Sequence, residues 1–222
     1  MRALPLPIGF AGSFSLPPEN LVTLLAPDFF GGLSRHAYWG RWYLWEACLF
    51  VGVTGSALAS YGIWAARATG KRALLITLAV TIVLAFGQYS PLYRILFDWV
   101  PLYDRFRGSA KFIFPAALML ALFAGYGLDR ILRDRSVSPR AIMVAAAGAV
   151  ALVIGGAVVS HADWGPVMKA MQATGQTYLD AASYARSAFV SESQAFAATS
   201  LFVAGLTLAA GVLLALRTRR EP

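Results

Sequence analysis

Apolar residues gather in five runs along the chain, at 44–64, 73–87, 112–128, 141–160 and 196–216, and Glu46 is the one charged residue inside them. A helix crossing a bilayer needs about 20 apolar residues, with a range of roughly 17–25. The first, fourth and fifth runs meet that length, and 112–128 sits at its short end. The run 73–87 must borrow Gln88 and Tyr89 or rely on local thinning of the bilayer. Unpaired backbone groups cost too much in lipid for these runs to be anything but helices, and no alternation of the kind that builds a membrane barrel is present. The pattern predicts an all-α, polytopic transmembrane bundle of about five spans.

Two further stretches are amphipathic. Over 91–101, Leu92, Ile95, Leu96 and Trp99 lie on one side, Arg94 and Asp98 are four apart on another, and a proline stands at each end. This reads as a short helix lying in the membrane interface. Over 166–190, Met168, Met171, Tyr178, Ala182, Ala185 and Phe189 follow helical spacing beside Lys169, Gln172, Gln176, Asp180, Ser183 and Ser187. A second amphipathic helix is expected there, with Gly175 as its weak point. The chain divides into an N-terminal segment 1–43, a three-span module 44–131 and a two-span module 132–222. The segment 1–43 begins with too broken an apolar stretch for a signal peptide.

Composition agrees with a membrane protein. Hydrophobic residues make up 58% and charged residues 14%, with a mean hydropathy of +0.61, which excludes both a soluble globule and a disordered chain. One cysteine, Cys48, and two histidines exclude an intrachain disulfide framework and imply neither a metal site nor a cofactor. The net charge of +8 is unevenly spread: ten of the nineteen Lys and Arg fall in 65–72, 129–140 and 217–222. Cytoplasmic loops carry this excess, so the segments 1–43, 88–111 and 161–195 are expected outside the cytoplasmic membrane and the C-terminus inside. With no basic stripe interleaved with aromatics on a soluble face, the charge reads as topology rather than nucleic-acid binding.

Three stretches carry a family resemblance: LPPENLVTLLAPDFFGG (16–32), YWGRWYLWEACLFVG (38–52) and GQYSPLYRILFDWVPLYDRFRGSAKFIFPAALMLALFAGYGLDRI (87–131). In this order they resemble the C-terminal half of the YfhO-like bacterial membrane proteins, which are placed among C-type glycosyltransferases. The resemblance covers residues 14–131. Where the family's Phe-Arg-x-Pro-Ala-Arg is usual, this chain reads Phe106-Arg107-Gly108-Ser109-Ala110-Lys111 and departs at Ser109 and Lys111. The lost proline should loosen the entry to the third span, and lysine for arginine gives up bidentate phosphate geometry. The resemblance implies transfer of a sugar from a polyprenyl-phosphate carrier at the outer face of a bacterial inner membrane. In such enzymes the catalytic carboxylate lies in the first outer loop, a region the resemblance does not cover. The chain is therefore expected to act as a C-terminal portion without its own catalytic carboxylate, with an N-terminal half or a membrane subunit as partner. The alternative is a non-catalytic scaffold or lipid-carrier-binding subunit. A transporter ranks third, since buried charges and broken mid-span helices are not expected.

Four outer cations, Arg94, Arg105, Arg107 and Lys111, run against the topology bias. They suit either a cradle for the carrier's phosphate or another anionic lipid, or plain snorkelling beside Asp98 and Asp104. Glu19 and Asp28 are the weak candidates for a catalytic base; Glu19 and Asn20 equally suit capping a helix over 20–26, and Asp28 a turn before Gly31 and Gly32. His36, Tyr38 and Trp39 could contact a sugar or anchor the interface. Cys48 is expected to be inert, and the small residues of 145–157 to serve helix packing.

Overall fold

The computed structural model describes residues 6–33, 35–65, 67, 69–134 and 137–218; Arg135, Arg219 and Arg220 of the cation count lie outside them. The described chain is all-α. Its helices are α1 (Ile8–Ala11), α2 (Leu44–Ala47), α3 (Val53–Ala65), α4 (Lys71–Ala85), α5 (Leu92–Trp99), α6 (Ile113–Asp134), α7 (Pro139–His161), α8 (Gly165–Ala173), α9 (Ala181–Ala185) and α10 (Ser187–Thr218). Short 3-10 turns cover Pro18–Leu24, Gly87–Tyr89, Tyr103–Arg105 and Ser109–Phe112.

Three helical stretches are long and apolar enough to cross a membrane: Ser109–Asp134, Pro139–His161 and Ser187–Arg217. They contain the runs 112–128, 141–160 and 196–216, and they mark a multi-pass membrane protein. Pro139 opens α7 at its first turn, where its missing N–H is not needed. The expected five uninterrupted spans are not found. Helix α4 has 15 residues and rises about 22 Å, short of a hydrocarbon core of about 30 Å.

The run 44–64 is broken in two, against the expectation of unbroken helices that counted against a transporter. After α2 the chain is extended at Cys48 (φ −100°, ψ 111°), and Gly52 turns it at φ +85° before α3 begins. The break is held by the turn Pro18–Leu24. Asn20 Nδ2 donates to the Ala47 carbonyl at 3.1 Å, and Leu49 N–H donates to Thr23 Oγ1 at 3.0 Å. Both side chains are fully buried. Helix-breaking backbone is tolerated at depth only where protein groups satisfy it, and two polar side chains do so here.

Close backbone crossings build the bundle. Helix α3 lies on α6 through Gly62 and Gly127: a Cβ on Gly62 would overlap the Phe123 carbonyl, and one on Gly127 would overlap that of Leu58. Helix α7 lies antiparallel to α10, with Gly156 against Phe202 and Gly205 against the Ala149 carbonyl. Small residues at such crossings let backbones approach closely enough for dispersion to hold the helices together. Leu16, Ala59, Leu78, Ala116, Leu120 and Phe123 fill the space among α3, α4 and α6.

The three segments expected outside meet at one end of this bundle. Leu6 N–H reaches the Asp104 carbonyl, Ala110 N–H the Phe14 carbonyl, and Trp42 N–H the Gln176 carbonyl. A second core of Phe30, Tyr38, Trp39, Trp164, Met168, Tyr184 and Phe189 sits under them. Helix α5 forms where the short interfacial helix was expected. The single helix expected over 166–190 is instead three pieces. Gly175 takes φ +65° after α8, Asp180 caps α9 through Ser183 N–H, and Phe189 belongs to α10. A positive φ that glycine adopts without strain ended the helix where its pattern alone would have continued it.

Candidate functional site

The four outer cations lie on the rim of this cap. The backbone carries Arg107 between two positive-φ residues, Leu102 (φ +71°) and Gly108 (φ +85°). Gly108 N–H donates to the Ser13 carbonyl at 3.3 Å, which seats the loop on the N-terminal segment. The Arg107 guanidinium then lies over two rings, 4.8 Å from Phe10 and 4.9 Å from Phe14, a cation–π arrangement that orients it without neutralising it. The Lys111 side chain folds back over Gly108, its Nζ 3.5 Å from where a Cβ there would sit. That holds its ammonium over the backbone next to Arg107 in sequence, and the two are not joined by a continuous α-helix: Ser109–Phe112 is a 3-10 turn and α6 starts at Ile113. Arg94, on α5, and Arg105 are also exposed. None of the four takes part in the ion pairs found among the described residues, so Asp98 and Asp104 do not neutralise them directly.

Around these cations the surface is apolar. Trp99 is 82% exposed, Leu102 66% and Ile95 56%, with Ile8 and Phe10 beside them. Apolar side chains bordered by cations match the boundary between acyl chains and headgroups. Beneath them the Tyr93 hydroxyl is buried without a protein partner, and burial pushes its pKa up to about 12, so it stays a neutral hydrogen-bond donor.

Glu19 and Asp28 are placed differently from each other. The Glu19 carboxylate is gripped by Arg41, whose Nε and Nη2 donate to its two oxygens at 2.6 Å each. Arg41 also donates to the Tyr89 hydroxyl at 3.4 Å, Trp42 Nε1 donates to the same oxygen at 3.3 Å, and that hydroxyl donates to Gln176 Oε1 at 2.7 Å. With both oxygens occupied by arginine, this carboxylate is turned away from any role in receiving a substrate proton. Neither Glu19 nor Asn20 caps the 3-10 turn, which Pro18 opens instead. Asp28 is exposed, and its backbone carbonyl, not its side chain, receives Gly31 N–H at 3.0 Å.

His36, Tyr38 and Trp39 are all buried. Trp39 packs among Phe29, Phe30 and Trp164, and its carbonyl accepts from the Tyr184 hydroxyl. The Tyr38 hydroxyl donates to the Arg41 carbonyl, and burial raises its pKa. The His36 ring is stacked between Phe189 and Phe196, with Nε2 2.8 Å from Ser193 Oγ and Nδ1 3.5 Å from Glu192. By distance this is a serine–histidine–carboxylate line. Ser193 is wholly buried, so no reacting carbonyl reaches it. The three residues tie the N-terminal segment to α10. Burial lowers the His36 pKa, against the opposing pull of Glu192.

The residues that organise this end, Arg41, Tyr89, Gln176, Asn20, Thr23 and Ser193, are partners across long stretches of chain, and no local spacing announces them. Among the described residues no group of three or more His, Cys, Asp or Glu is arranged to hold a metal ion. No family model, curated protein or solved structure matches the chain.

Proposed function

We propose that the chain is a glycosyltransferase-like membrane module that binds the phosphate of a polyprenyl-linked sugar at the outer face of a bacterial cytoplasmic membrane. The observation that carries this reading is the exposed trio Arg105, Arg107 and Lys111, outside any ion pair of the described residues and set in an apolar rim. A charge-assisted hydrogen bond to phosphate contributes about 1.5–3 kcal/mol. Loss of Arg107 in Arg107→Gln is therefore expected to weaken binding of a polyprenyl phosphate at least about tenfold, measured with the reconstituted protein in neutral lipid, and Lys111→Gln less. Equal affinity in wild type and both variants, or equal competition by any anionic lipid, leaves only headgroup snorkelling.

Within this reading the catalytic carboxylate belongs to the first outer loop, which the resemblance does not cover. Asp28 is the remaining exposed candidate, and Arg41 holding Glu19 supports this reading. The same pair favours the second reading, a non-catalytic carrier-binding subunit. The two separate on turnover: the module joined to an enzymatic N-terminal half transfers sugar, whereas a binding subunit does not.

The same proposal fixes orientation. The described helices alternate in direction, and the extended residues 48–52, at about 3.3 Å each, lengthen the 13-residue α3 to the depth of a bilayer. With the bilayer thinned locally around α4, five passes place the cation-rich segments 65–72 and 129–140 together on the cytoplasmic side and the cap outside. A cysteine at Gly70 in a Cys48→Ser background is expected to resist a membrane-impermeant maleimide in intact cells, and one at Gln176 to react. Labelling at position 70 reverses the orientation.

A further inference from the structure

A second feature lies at the opposite end of the bundle from the cap. A cavity of about 550 Å3 runs between α3 and α7, with Leu208 of α10 as its floor, within the roughly 300–1,000 Å3 range of small-molecule sites. On α3, Val53, Ala57, Ser60 and Trp64 recur at helical spacing and face it, while Ala59 and Gly62 turn to α6. Ser60 spends its hydroxyl on the Ser56 carbonyl at 2.9 Å, so the lining is apolar apart from the phenol of Tyr61. Leu24 and Leu25, on the turn whose Leu24 carbonyl accepts from Ser56 Oγ, close the groove towards the cap. Arg140, exposed at the start of α7, stands at the open end beside Trp64. Arg140 belongs to none of the ion pairs among the described residues.

The dimensions point to one kind of occupant. From Val53 to Trp64 a helix rises about 16 Å, close to half of a hydrocarbon core of about 30 Å. A slot about one leaflet deep, largely apolar, closed towards the cap by Leu24 and Leu25 and marked at its mouth by a cation and a tryptophan, has the form of a single lipid. We infer that this groove is a lipid site, taking one acyl chain between α3 and α7 with an anionic phosphate headgroup against Arg140. It is separate from the cap cations and does not depend on what they bind.

The test uses the full chain in neutral detergent, with native mass spectrometry reading retained lipid. Phosphatidylglycerol is expected to be retained several-fold more than phosphatidylcholine with the same chains, because the choline ammonium offsets the phosphate charge that Arg140 meets. The variant Arg140→Gln is expected to erase that preference, and Arg140→Lys to keep most of it. The variant Ser60→Phe, at an exposed rim position that leaves the α3–α6 contact intact, is expected to lower retention of both lipids. The preference is expected to persist in Arg107→Gln, which removes only lipid held at the cap. Equal retention of the two lipids by wild type overturns the inference, as does an unchanged preference in Arg140→Gln. Displacement of the lipid by glycerol phosphate at equal concentration overturns it in favour of a free phosphate, and loss of the preference in Arg107→Gln in favour of the cap.

Discussion

Replacing Gly62 by valine is expected to destabilise the protein by about 3 kcal/mol, the upper end of the usual range for overpacking, while Gly125→Ala on the facing helix is expected to be neutral or slightly stabilising. At Gly62 the first carbon of any side chain overlaps the Phe123 carbonyl and lies 2.8 Å from the Gly127 nitrogen. Both obstacles are backbone, so no rotamer relieves them and α3 must lift from α6. Lifting opens the contact that Ala59, Ala116, Leu120 and Phe123 share. Gly125 meets nothing within 4 Å, and alanine there gains up to about 1 kcal/mol of helix propensity. Unfolding of the two variants in a mild detergent, titrated with a denaturing one, separates them. A Gly62→Val protein as stable as wild type would refute the crossing.

Removing the amide of Asn20 is expected to expose the protein's one cysteine. Cys48 is half-buried in the extended stretch that Asn20 and Thr23 hold in place. Leucine at position 20 leaves the Ala47 carbonyl without its donor, and valine at position 23 leaves Leu49 N–H without its acceptor. A buried polar group stripped of its partner costs about 1–3 kcal/mol. If thiol reaction proceeds through local opening of this turn, a loss of about 2 kcal/mol raises the Cys48 labelling rate roughly thirtyfold. Thiol labelling of the folded protein in detergent measures it, with Ser56→Ala, which loses a bond lower on α3, as the smaller comparison. A rate unchanged in both Asn20→Leu and Thr23→Val would show that these side chains do not hold the break.

The long helices α6, α7 and α10 are legible in the chain because apolar length alone determines them. The break at 48–52 is not, because Leu49, Phe50 and Val51 are as apolar as any helix interior, and the polar groups that stabilise the extended form arrive from residues 20 and 23. Only Gly52 hinted at it. Gly175 was the visible flaw in 166–190, but whether a glycine bends a helix or is carried by it depends on what packs on either side. The cations of 94–111 could be named from position alone, whereas the grip of Arg41 on Glu19 could not. The two are 22 residues apart, and nothing in either neighbourhood selects the other. His36 offered itself as a sugar contact because it stands in an aromatic stretch, and the residues that enclose it come from α10.

That last tie spans 157 residues, from His36 to Ser193. Chains are synthesised at about 5–20 residues per second, so roughly 8–30 s pass between the emergence of the histidine and that of its partner. The α3–α6 pair is complete well before then, and α7 must wait for α10 in the same way. The first half of the molecule can therefore settle early, while its aromatic strap of Phe30, Trp39 and His36 waits for α8, α9 and α10. Slow arrival of the last helix is then the step at which a half-assembled chain is most open to a chaperone or a protease.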